Sequence, residues 1–164
     1  MSFDKLSKRQ RFRFLATAMA DLEDSKNVIT LARREHGLTP TKDYMLKALS
    51  EVAVVRYCRP FVGTWITARV KSVLPNRFLD AALNARQKKR HTSILALRHK
   101  DGAHTQVKQL RMRHVRVPAL YGEPSQTVSL LNRKFADLAE LRHLERMIAA
   151  LIPVLRAEHD ALAP

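Results

Sequence analysis

The sequence predicts an all-α fold, an up-and-down bundle of about four to six helices, and three observations lead there. Glycine is scarce, at 4 of 164 residues, and aromatics are only 6%. Ala, Leu and Arg recur throughout, and these residues give up little freedom in a helix. Long stretches carry apolar residues at a helical period. Hydrophobic residues make up 46% of the chain, enough to build one core in a single domain spanning residues 1–164 without disulfides or structural metal.

Each element follows from its pattern. From Lys8 to His36 the residues Phe12, Leu15, Met19, Leu22, Ile29 and Leu31 recur at helical spacing, and His36-Gly37 supplies the stop. Thr39-Pro40-Thr41 is a turn with N-cap chemistry. The helix it opens runs from Lys42 to Arg59, with Met45, Leu49, Val52 and Val55 or Arg56 along one face, and Pro60 and Gly63 limit it. Pro75 marks a further break, and Asn76 caps a short helix through Leu83. Arg86 to Arg98 reads as a helix with exposed basic first turns and an apolar end at Ile94, Leu95 and Leu97; Gly102 interrupts it. Gln106 to Val117 alternates roughly every second residue, which predicts a short β arm near 106–117. After the turn Tyr121-Gly122-Glu123-Pro124, a last long helix is expected from Ser125 to Leu162. Its stripe is Leu130, Phe135, Leu138, Leu141, Leu144, Ile148 and Leu151, with a kink at Pro153. Phe61 and Trp65 read as core, and Cys58 as a small buried hydrophobe.

Charge is the strongest bulk feature. Thirty Lys and Arg stand against 15 Asp and Glu, giving +15, and a domain this basic attracts polyanions, nucleic acid first. The charge is not spread evenly. Between Arg86 and Arg116 ten cations face the single acid Asp101, and four of the seven His lie in the same span. Several classes are set aside. One cysteine allows neither an intramolecular disulfide nor a Cys-based zinc site. His91, His99, His104 and His114 lack i,i+4 pairing with carboxylates, so neither a metal nor a cofactor is expected. No signal peptide opens the sequence and no stretch approaches a membrane span, so a cytoplasmic protein without a membrane partner is expected.

The text that carries chemistry is L-A-L-R-H-K-D-G-A-H, Leu95 to His104. It sets an arginine, a polar residue, four further residues and a histidine in one span. In type, order and spacing Arg98, His99 and His104 resemble the motif of the HEPN superfamily (higher eukaryotes and prokaryotes nucleotide-binding domains). His91, the run Ile94-Leu95-Ala96-Leu97 and Ala103-His104 are similar to one small bacterial branch of it, as is V-V-R-Y-C-R-P-F, Val54 to Phe61. Gly102 and the basic 106–117 arm depart from the pattern. The resemblance implies a metal-independent endoribonuclease that leaves a 2′,3′-cyclic phosphate and a 5′-hydroxyl. It further implies a homodimer with a composite active site, and a toxin or antiphage-defence setting with an antitoxin or regulatory protein.

Physical chemistry fits those roles. Histidine suits proton transfer because its ordinary pKa lies near neutrality. Arginine suits a developing phosphorane because its planar fork grips two oxygens and stays charged. His104 is therefore assigned to proton transfer, Arg98 to the phosphate, and His99 to orienting either or sharing the proton. Lys88, Lys89, Arg90, His91 and Lys100 are candidate RNA contacts on the same helix, with Arg56, Tyr57 and Arg59 lining the cleft from the second helix. Seven residues apart, His91 and Arg98 share a helix face; six apart, Arg98 and His104 stand roughly 240° apart on an ideal helix. Convergence of those two requires a break near Gly102 or a second protomer. Bland readings stand beside these: Arg98 as a cation at a helix C-terminus, His104 as a turn residue, His91 as a structural hydrogen-bonder. Two other functions also fit the sequence: a non-catalytic RNA-binding module, and a helical interaction protein docking through its C-terminal helix.

Overall fold

The computed structural model describes residues 2–35, 42–68, 70–102, 112–117, 126–131 and 138–163. The chain is mostly helical, as the composition predicts, with five α-helices and two short antiparallel hairpins among the described residues. A 3-10 turn at Phe3–Lys5 leads into α1 (Lys8–Glu35), followed by α2 (Lys42–Val62). Strands β1 (Thr64–Thr67) and β2 (Val70–Ser72) pair next. Helices α3 (Asn76–Ala82) and α4 (Ala85–Gly102) precede β3 (Met112–Val117) and β4 (Gln126–Leu131), and α5 (Leu138–Ala161) closes the fold.

Side-chain pairings fix the helix directions. Ser25 Oγ donates to the Ala53 carbonyl at 2.8 Å, while Asp21 meets Arg56 and Arg59, so α1 and α2 run antiparallel. Arg33 pairs with Glu145 and Arg156 with Glu23, so α1 and α5 do too. Helix α1 thus packs between α2 and α5 as the centre of the bundle. Its buried stripe is Phe14, Leu15, Ala18, Leu22, Ile29 and Ala32, at the 3–4 residue spacing of one helix face. Against it lie Ala53, Val54, Tyr57 and Cys58 of α2 and Leu141, Leu144, Met147, Ile148, Leu151 and Leu155 of α5. Phe3 seals one end by edge contacts with Phe14 and Phe78.

The expected faces need correction in places. Leu31, Val52 and Val55 are exposed, and Phe12 is half-buried. On α2 the buried side is offset from the predicted one, because Ser50, Ala53, Val54, Tyr57 and Cys58 meet α1 and α4 instead. Trp65, expected in the core, is 62% exposed. It sits on the two-stranded β1–β2 hairpin at a residue paired with Lys71, whose Nζ lies 5.8 Å from its ring.

Element ends also differ. Pro60 does not stop α2, which continues to Val62; a proline removes one ladder bond, and at a last turn little ladder remains to lose. The Pro60 carbonyl is taken by the Leu74 N–H at 2.8 Å. Helix α2 gives way to β1 at Gly63, whose φ of 121° is open to glycine alone and whose absent Cβ leaves room for the Lys71 chain. The expected arm near 106–117 is present as β3, but its partner β4 occupies residues assigned from sequence to the start of the last helix. That helix begins at Leu138 and continues through Pro153 to Ala161.

Candidate nucleic-acid site

Helix α4 carries most of the candidate residues, and its start is well defined. Asn84 Oδ1 accepts from the Gln87 N–H at 2.9 Å, and Gln87 Oε1 accepts from the Asn84 N–H at 3.0 Å. This reciprocal cap fixes which residues face α2 further along. Two turns on, His91 turns inward and is 5% exposed. Its Nδ1 meets the Tyr57 hydroxyl at 2.8 Å, and its ring stands edge-on to Phe61 with centroids 4.5 Å apart. Burial lowers the His91 pKa to about 4, so the imidazole is neutral near pH 7. Tyr57 is fully buried and burial pushes its phenol above the ordinary tyrosine value. Neither can touch a ligand at the surface. The expectation that Tyr57 and His91 contact RNA is therefore corrected: they fasten α4 to α2.

That fastening positions Arg98. It lies seven residues after His91, two helical turns along the same face, and is half-buried. Its guanidinium is near enough to the Cys58 thiol to favour the thiolate, though burial dominates and pushes the Cys58 pKa up to about 12. Among the described residues Arg98 has no carboxylate partner. A half-buried guanidinium keeps its charge and its planar fork of donors, and so is suited to an anion that reaches it.

The remaining predicted residues fall into distinct groups. Lys89 is exposed and Arg90 half-exposed, and neither has an ion-pair partner among the described residues. Lys88 is already neutralised by Asp80 at 2.7 Å. Arg56 and Arg59 are also committed: both donate to Asp21 Oδ1, at 3.4 and 2.9 Å, and Arg56 lies 3.7 Å from Asp24. The helix backbone places His99 and Lys100 in the last turns of α4, but their side chains lie outside the described residues, as does the whole of His104. Helix α4 is described as far as Gly102, and the break that convergence of Arg98 and His104 would require falls where the described residues stop.

Sequence reasoning missed Asp21. Its carboxylate is 5% exposed, takes two arginines on one oxygen and keeps the other, Oδ2, buried without a hydrogen-bond partner. A signal was present: Asp21 and Ser25 interrupt the apolar stripe between Ala18, Leu22 and Ile29, and polar residues on a buried stripe need partners. Among the described residues no group of three or more His, Cys, Asp or Glu side chains is placed to hold a metal ion. None of the described helices is long and apolar enough to cross a membrane. In comparison with known proteins, the chain matches no family model, no curated protein and no solved structure.

Proposed function

We propose that this chain acts on RNA, as a metal-independent endoribonuclease of the HEPN type centred on the end of α4. The observation that carries the reading is Arg98, half-buried and without a carboxylate partner among the described residues, on a helix whose exposed side is basic. Arginine in that setting is suited to the phosphate, and the Tyr57–His91 bond holds its helix in place. His104 takes or gives the proton when the ribose 2′-oxygen attacks phosphorus and the 5′-oxygen leaves; His99 orients it or shares the transfer. The products are a 2′,3′-cyclic phosphate and a 5′-hydroxyl. A two-fold dimer would bring two such pairs to one cleft, and a toxin or defence role would call for an antitoxin or regulatory partner.

The test is cleavage of labelled RNA by purified protein in EDTA, with Arg98→Ala and His104→Ala alongside. Loss of cleavage in both variants, with the fold retained, supports the assignment. Cleavage that survives both substitutions overturns it. Binding without cleavage by the unmodified chain favours the second reading, a non-catalytic RNA-binding module, which needs the unpaired cations of α4 but no proton transfer.

A further inference from the structure

At the other end of the bundle's central helix, the start of α1 and the end of α5 enclose an open groove of about 510 Å³, lined by Lys8, Arg9, Phe12, Arg13 and Leu162. Its composition is unusual for a bare surface. The floor is apolar, from Phe12 and Leu162, and three cations rim it. Phe12 is held flat by His159, with ring centroids 4.0 Å apart and planes 25° from parallel. Lys8 is tied across the groove to the Ala163 carbonyl at 3.2 Å. Arg9 and Arg13 are exposed and have no ion pair among the described residues. They are also i,i+4 neighbours of like charge at the positive end of a helix whose first turn carries no acid, an arrangement that repels itself until an anion arrives. The helix N-terminus is meanwhile occupied by its own cap, Ser7 with Gln10, so the attraction lies with the side chains.

We propose that this groove seats a nucleotide, its base against Phe12 and Leu162 and its phosphate on Arg9 and Arg13. Charge selects an anion, the apolar floor selects an anion with a hydrophobic body, and the fixed Phe12–His159 stack selects a flat ring. The volume lies within the range of small-ligand pockets. The nucleotide comes either from a single-stranded RNA or from the free pool. The RNA arm deepens the function proposed above and rests on it; the free-nucleotide arm does not.

The experiment titrates the full chain with AMP by calorimetry and with a fluorescein-labelled oligo(A) by anisotropy, octanoate serving as an anion with an apolar tail and no ring. Oligo(A) that is displaced by AMP and weakened by Phe12→Leu marks RNA as the source; AMP binding that leaves oligo(A) undisplaced, on the cations of α4, marks the free pool. Phe12→Leu keeps the floor apolar and removes the ring; Arg9→Gln with Arg13→Gln removes the charge. Phe12→Leu should weaken AMP about tenfold, the effect of one lost base stack, and the double arginine variant should weaken it further. The proposal is overturned if AMP does not bind, if octanoate binds as well as AMP, or if Phe12→Leu binds AMP like the unmodified chain. Arg98→Ala separates the two sites: it should abolish cleavage while AMP binding persists.

Discussion

The Tyr57 hydroxyl and the His91 Nδ1 meet at 2.8 Å in the interior, joining the second helix to the fourth. The pair has a measurable consequence for acid stability. The folded-state pKa of His91, about 4, is below its ordinary value of 6.5. The unfolded chain therefore binds the proton more readily, and acid favours unfolding. The stability at stake is fully present above about pH 6.5 and is lost as pH falls toward 4. Between pH 7 and pH 4.5 the loss from this residue should be about 2 kcal/mol. His91→Gln, which keeps an acceptor for Tyr57 but does not titrate there, should lose less stability over that interval. Urea titrations of both proteins at the two pH values measure the difference, and parallel losses would refute the assignment.

Removing the other partner gives a second expectation. Tyr57→Phe leaves the ring but strands the His91 nitrogen in the interior, at a cost of about 1–3 kcal/mol. If α4 is fastened by this bond, hydrogen exchange in α4 should rise more than in α5, which packs mainly on α1 and meets the same hydroxyl only through the weak acceptor Met147 Sδ at 4.0 Å. Equal rises in the two helices would count against a local fastening.

How much of this was legible in the sequence depends on what each residue has to pack against. Helix α1 is legible in the sequence because Leu15, Leu22 and Ile29 repeat at a period that only one bundle face can satisfy; its expected stop at His36-Gly37 lies outside the described residues. The β1–β2 hairpin was not foreseen, and nor was β4: strands so short carry few alternations, and Trp65 was assigned to a core by its hydrophobicity alone. The predicted face of α2 was offset because Ala53, Cys58 and Ser50 are small or polar, yet they are what helix packing admits at close approach, while Val52 and Val55 stay outside. At the candidate site Arg98 was legible from local text. Asp21 was not, because its partners Arg56 and Arg59 lie 35 and 38 residues away, and only the tertiary fold joins them.

Asp21 yields a prediction of opposite sign for stability and for binding. Asp21→Asn weakens two ion pairs whose arginines are 39% and 47% exposed, so solvent screening keeps the stability cost near 1 kcal/mol. The same change frees Arg56 and Arg59 for phosphates. RNA should bind more tightly at low salt and its affinity should fall more steeply as salt rises. Anisotropy titrations over a salt series decide it; an unchanged slope would mean that the two guanidinium groups lie away from the bound strand.

Cys58 should be chemically silent. Its pKa of about 12 leaves on the order of one thiol in ten thousand ionised at pH 8, and the side chain is buried. A thiol reagent such as DTNB should leave the native protein unlabelled and react with one equivalent in denaturant. Rapid stoichiometric labelling of the folded chain would show that the α2–α4 contact opens far more readily than its packing implies.

The cations of α4 should not contribute equally to RNA binding, because the fold has already spent one of them. Lys88 is neutralised by Asp80 at 2.7 Å, whereas Lys89 and Arg90 have no such partner among the described residues. Each cation that contacts a phosphate of a single strand should contribute about 0.7 to the slope of log affinity against log salt. Lys89→Ala and Arg90→Ala should each flatten the slope by about that amount if both residues touch the strand, and Lys88→Ala by clearly less. Sequence alone would rank Lys88, Lys89 and Arg90 alike, so the ordering isolates what the structure adds. Equal effects at all three positions would indicate that the strand meets a diffuse positive field rather than a defined face of this helix.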